Sequence, residues 1–161
     1  MIRIEHLYLS PGHNYFGHHG RDPGEHPMLP VPEVECIAGR GLRGDRFFDY
    51  KPDYKGQITF FAAEIHDELC RTLLPAPGAP PPPSVYRRNV ITRGVDLNTL
   101  IGHTFSIQNV TFLGCAECSP CHWMDRALAP GAEASLKGRG GLRAKILTSG
   151  PLRCGTGVPP V

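Results

Sequence analysis

Three cysteines fall within seven residues in Cys115-Ala116-Glu117-Cys118-Ser119-Pro120-Cys121, and His122, Trp123 and Met124 follow at once. Ser119 is a residue type favoured at a helix N-cap, and Pro120 is favoured at the first helical position. That placement predicts Cys121 as the second residue of a helix, among backbone N–H groups that lack an intrahelical partner. There the amides and the positive end of the helix dipole would favour a thiolate. A thiolate is a soft ligand for molybdenum, copper or zinc and an acceptor for persulfide sulfur. The structural alternative is a buried cysteine filling a strand–helix corner.

Cys115 and Cys118 extend the pattern to Cys-x-x-Cys-x-x-Cys. This spacing admits two further readings: part of a zinc or iron–sulfur site, or a resolving thiol at Cys118. A strand under Cys115 and a helix under Cys121 would work against convergence, and no second Cys-x-x-Cys is present. A second cluster, His13, His18, His19 and His26, puts four histidines in fourteen residues. Adjacent His18 and His19 suit one ion poorly, and no acid is spaced to orient them. A loop lid over a pocket, or a solvated loop, is the simpler reading. Cys36, Cys70 and Cys154 sit in strand or helix patterns and are expected in the core. Trp123 and Met124 are expected to pack the Cys121 helix.

The elements that must hold these residues are short and mostly extended. Strands are predicted over 2–9, 34–38, 57–61, 88–92, 104–108, 110–115, 142–148 and 152–154, with Asn109 in a tight turn. Helical spacing is confined to 62–74, where Ile65, Leu69 and Leu73 share a face, and to 120–129 and 132–137. Asp96 is placed to cap a single turn over 97–101 that stops at Gly102. Residues 10–32 form a His/Gly/Pro-rich loop, and the proline run at 75–84 is an extended surface loop rather than a domain boundary. Many short strands joined by turns, with a few small helices, predict a mainly β fold closed into a barrel.

Composition sets the outer limits. A chain of 161 residues, 40% hydrophobic and 20% charged, makes one domain. Seventeen prolines and nineteen glycines fit many turns. A formal net charge of +2 gives no argument for nucleic acid or a membrane surface. No apolar run approaches the ~18 residues that span a bilayer, and Arg3 and Glu5 interrupt what a signal peptide would need. A cytoplasmic, reducing location is the default expectation, and with it six free thiols rather than three disulfides.

Several strings together resemble the MOSC family, named for the C-terminal domain of molybdenum-cofactor sulfurases. They are Arg88-Asn89-Val90-Ile91-Thr92-Arg93-Gly94-Val95-Asp96-Leu97, then Leu100-Ile101-Gly102, Pro120-Cys121, and Gly140-Gly141-Leu142-Arg143-Ala144. Gly41-Leu42-Arg43-Gly44-Asp45-Arg46 and Gln57-Ile58-Thr59 are similar to the family's N-terminal half. The resemblance runs over roughly residues 1 to 158, and its specific parts are Arg-Asn-x-x-Thr and Pro-Cys. At Gly155-Thr156-Gly157-Val158 the chain lacks the Gly-Asp that usually ends the family pattern.

The resemblance implies a barrel like that of pyruvate kinase, and binding of molybdenum cofactor (molybdopterin) or carriage of sulfur on the cysteine. In amidoxime-reducing relatives the cysteine ligates molybdenum while basic side chains hold the pterin phosphate. Carried over, Cys121 is the ligand or sulfur carrier, and Arg88, Asn89, Thr92, Arg93 and Asp96 line the cofactor pocket, with Arg46 and Arg143 as further candidates. Arginine suits phosphate because its planar fork makes two charge-assisted bonds at once. For each arginine the alternative is a solvated surface charge, and for Asp96 it is helix capping.

Three functions follow. One is a molybdenum-dependent oxidoreductase acting on small N-hydroxylated compounds, served by a separate electron donor. Another is a sulfurtransferase whose Cys121 persulfide is loaded by a partner cysteine desulfurase. The last is a non-enzymatic module with zinc at the cysteine cluster.

Overall fold

Side chains alternate between the two faces of a strand, and that period sorts this chain into layers. A computed structural model describes residues 1–15, 20–74 and 78–155. Its strands are β1 (Arg3–Leu9), β2 (Leu29–Pro30), β3 (Glu33–Ile37), β4 (Gly41–Leu42), β5 (Ile58–Ala62), β6 (Val90–Arg93), β7 (Thr104–Ile107), β8 (Val110–Glu117), β9 (Leu142–Ile146) and β10 (Gly150–Arg153). Its helices are α1 (Ala63–Leu73), α2 (Trp123–Ala127) and α3 (Ala132–Leu136), with single 3-10 turns at Pro83–Tyr86 and Leu97–Leu100. Expectations that fall on His18, His19, residues 75–77 and residues 156–158 lie outside the described residues.

The closed barrel does not form. Seven strands make one open mixed sheet in the order β2-β1-β6-β5-β9-β8-β7, and a separate sheet runs β10-β3-β4. Closure would require the two edge strands to bond each other. Here β2 is two residues long and ends in Pro30, which has no N–H to give, and β7 is only four residues. The small sheet is instead tied at its ends: Gly155 N–H donates to the Ile4 carbonyl at 2.9 Å and Gly39 N–H to that of Ile146 at 2.9 Å. The mainly β character with a few short helices stands.

The core sits between these layers. Ile58, Phe60 and Ala62 of β5, Val90 of β6, and Leu142, Ala144 and Ile146 of β9 face the small sheet's Val34, Cys36, Leu42 and Leu152. The opposite face, through Phe61 and Ile91, packs on Leu69, Tyr86, Met124, Ala132 and Leu136 of the helical layer. α1 links β5 to β6, which run parallel, so it serves as a β-α-β crossover. The β7–β8 hairpin turns at Gln108 and Asn109, both at positive φ, as expected for a tight primed turn.

All six cysteines are unbonded. Cys36 is in the core, but Cys70 is half-buried and Cys154 exposed, so the core placement expected of these two fails. Among the described residues no helix is long and apolar enough to cross a membrane.

Candidate functional site

The site grows from the helical face of the large sheet. Thr59 on β5 and Arg143 on β9 are register partners, and alternation turns both away from the core side chains Phe60 and Leu142. Arg88 precedes β6, and its guanidinium donates to the carbonyls of Gly140 at 3.2 Å and Tyr86 at 2.9 Å. With Arg46, Arg87, Tyr54, Cys118 and Cys121 they line a cavity of ≈ 360 Å³. Its rim includes His13, Asn14 and Tyr15 from the long loop.

Close backbone packing fixes the cysteine wall. Cys118 N–H donates to the Gly141 carbonyl at 2.8 Å. A Cβ on Gly140 would stand 2.1 Å from the Cys118 carbonyl oxygen and 3.1 Å from Pro120. The stretch 118–120 is therefore held against Gly140 and Gly141, just ahead of β9, and is not helical. As a result α2 begins at Trp123, with His122 as an uncapped N-cap, rather than at Pro120. Ser119 is exposed and caps nothing, and Cys121 lies two residues ahead of the helix, its carbonyl accepting from Met124 N–H at 2.9 Å. The helix-dipole reading of Cys121 is thus withdrawn, since the helix is five residues long and starts after it. Positive charge on this wall comes from guanidinium groups. Trp123 and Met124 are buried beneath, as their types suggested.

The charges do not balance. Arg46, Arg87, Arg88 and Arg143 face two carboxylates: Asp45, bonded to Arg46 at 3.3 Å, and Glu117, which accepts from Gly140 N–H at 3.1 Å. Burial pushes the Arg46 guanidinium below its ordinary value. Burial, with repulsion from Arg46, pushes Arg87 down to about 10. At Cys118 burial raises the thiol, and Arg88 and Arg143 oppose it. The Arg143 guanidinium makes no hydrogen bond among the described residues and stands 5.4 Å from the Tyr54 ring centroid, a cation–π contact.

The other residues expected here divide sharply. Asn89 is buried beneath the cavity, where its carbonyl oxygen accepts from Thr59 N–H and Oγ1 at 3.1 Å each and its amide donates to Tyr8. It is scaffold rather than lining. Thr92 pairs with Ala62 in β5 and so points to the opposite face, with Val90. Arg93 is five residues along the chain from Arg88, about 16 Å of extended strand. It is spent on Glu5 at 2.6 Å and Asp67 at 2.7 Å. Asp96 accepts from Asn98 N–H at 3.0 Å, the expected cap, and lines a different cavity of ≈ 640 Å³ with Leu97 and Lys137.

Cys115 is the extra residue of a β-bulge between Gly114 and Ala116, its thiol directed to the Leu113 carbonyl. It does not line the cavity of Cys118 and Cys121. Among the described residues no group of three His, Cys, Asp or Glu side chains could hold a metal ion. Sequence reasoning missed Arg87, Tyr54 and Tyr15. The signals were the Arg87-Arg88 doublet and the unpatterned aromatics Phe47, Tyr50 and Tyr54 in a loop.

A family model for the MOSC domain matches residues 18–158. The chain belongs to the MOSC domain family. That family is associated with molybdenum-cofactor binding. The fold is shared with solved structures. YuaD from Bacillus subtilis is 17% identical, with 95% of this chain and 92% of that one covered at a TM-score of 0.66. YiiM from Geobacillus stearothermophilus is 12% identical, covering 96% and 72% at 0.67. YiiM from Escherichia coli is 15% identical, covering 94% and 65% at 0.58. No curated protein matches the chain in sequence.

Proposed function

We propose that the cavity at Cys121 binds the anionic pterin of molybdenum cofactor, with the Cys121 thiolate as a molybdenum ligand, and serves reduction of N-hydroxylated small molecules. The observation that carries this reading is the excess of guanidinium over carboxylate around a cavity that also holds a half-buried thiol. Four buried or half-buried arginines cost desolvation that two carboxylates do not offset. A multiply charged anion offsets it, and arginine forks match phosphate oxygens.

The donor set fits the group. Arg143 and Arg88 have uncommitted N–H donors, Tyr54 and Tyr15 add aromatic rings to the lining, and Cys121 is a soft sulfur ligand. A Cβ on Gly56 would lie 3.1 Å from Tyr54 and 3.3 Å from the Arg143 guanidinium, so glycine there keeps the wall open. Bound in place, the cofactor would supply two-electron transfer. The chain's own part is to neutralise the phosphate, stack the ring and hold the thiol at the mouth. Electrons would come from a separate donor.

The shared cavity of Cys118 and Cys121 also supports a second reading, a persulfide on Cys121 steadied by Arg88 and Arg143. Analysis of protein made in a molybdenum-replete host separates the two. The first predicts molybdenum with a fluorescent pterin oxidation product, and a lower but measurable molybdenum content in Cys121→Ser. Cyanide-labile sulfur without molybdenum would favour the second. Folded protein carrying neither contradicts both.

A further inference from the structure

Arg87 is placed unlike the other arginines. It closes the 3-10 turn Pro83–Tyr86 in a left-handed conformation, φ 57° and ψ 37°. From there its guanidinium reaches both described limbs of the long loop. One nitrogen donates to the His26 carbonyl at 2.8 Å; the other donates to Ser10 Oγ and the Gly12 carbonyl at 2.9 Å each. The limbs also hold each other through Asn14, whose side chain accepts from His26 N–H at 2.7 Å and donates to its carbonyl at 2.9 Å. Tyr15 stacks on Trp123, with centroids 4.9 Å apart. The two described limbs thus form a strap whose residues 13–15 border the cysteine cavity, and Arg87 lines that cavity while gripping the strap.

All three acceptors of Arg87 are uncharged, so among the described residues its half-buried positive charge has no carboxylate bonded to it, and Asp45 attracts it only from a distance. Arg46 lies close enough to repel it and donates to its backbone carbonyl at 3.1 Å. Arg87 is nonetheless a lining residue of the cavity, beside Arg46 and Arg88.

We infer that Arg87 couples the two: an anion in the cavity offsets its buried charge and thereby locks the strap, so the site closes behind its ligand. This rests on the anion-binding reading above. By linkage, an anion that favours the pinned strap must bind more tightly when the strap is pinned. Arg87 is a positioning residue in this scheme, and its effect shows in strap dynamics as well as in affinity.

Hydrogen exchange read by mass spectrometry on the full chain tests it, with inorganic pyrophosphate as probe against chloride at equal ionic strength. In the wild type pyrophosphate slows exchange in the peptides covering 10–15 and 20–28. Without the probe, Arg87→Gln and Arg87→Lys each speed that exchange by about tenfold or more, the equivalent of one hydrogen bond to a charged group. In either variant pyrophosphate binds more weakly and no longer slows the strap. Bound pyrophosphate that leaves wild-type strap exchange unchanged or faster overturns the latch while the anion reading stands. Failure of the wild type to bind pyrophosphate at all overturns both.

Discussion

At the scale of single residues, the site depends as much on a buried amide as on its charged lining. Asn89 is 1% exposed and substitutes for a stretch of sheet ladder, serving Thr59 and Tyr8 with one side chain. Asn89→Ala leaves the buried Thr59 N–H without its acceptor. A cost of about 1–3 kcal/mol follows for each group so stranded, read as a lower urea midpoint with unchanged slope. The same variant frees the start of β5, where Thr59 lines the cavity, so cofactor content falls with it. The Arg88-Asn89 string was legible in the sequence, but its division of labour was not. Both lie ahead of β6, so strand alternation does not assign them and their partners do: Arg88 reaches the Gly140 and Tyr86 carbonyls at the cavity, while Asn89 is taken up by Thr59 and Tyr8 beneath it. Within β6 the period of two puts Thr92 with Val90 on the far face, and Arg93 is held by Glu5 and Asp67.

At the scale of elements, the longer strands and α1 followed from period and composition, while the two-residue β2 and β4 and the position of Cys121 did not. Ser119-Pro120 carries a good local helix signal, yet Gly140 and Gly141, twenty residues later, keep 118–120 out of a helix by contacts no local pattern reports. Tertiary packing overrides propensity here. The consequence is testable: Gly140→Ala forces the Cys118 carbonyl or Pro120 to move, because 2.1 Å is far inside any contact distance. We expect the variant to fold with reduced stability, to label faster at Cys121 with a thiol reagent, and to retain less cofactor. Unchanged labelling and content would remove Gly140 from the account. The bulge at Cys115 was likewise invisible in sequence, and it separates the first cysteine of the triplet from the other two.

At the scale of the whole molecule, the barrel expectation failed because strand count and turn frequency do not say whether edges meet. Short edge strands, one ending in proline, leave two open sheets around one core. Stability of that assembly should depend on pH in two steps. Burial holds His66 below the ordinary 6.5, with its Nδ1 2.8 Å from the Tyr86 hydroxyl. As pH falls below 6.5, the unfolded chain takes up a proton there that the folded chain resists, so stability declines. Above 6.5 this contribution is fully present. Glu5 behaves oppositely in origin but alike in direction: the Arg93 bond holds its carboxyl below 4.5. Its contribution is present above 4.5 and is lost as pH falls through the lowered value. Thermal midpoints across pH 3–8 should show both declines, with His66→Gln reducing the upper one, to which His13, also lowered by burial, contributes the rest; a flat profile between pH 5 and 7 in the wild type would contradict that assignment.

X-ray absorption at the molybdenum edge of the cofactor-loaded protein asks most directly whether this cavity does what its charges and thiol suggest. The account predicts one fewer sulfur neighbour around molybdenum in Cys121→Ser than in the wild type, with both proteins folded and pterin still detectable. An identical sulfur shell in the two proteins would contradict it.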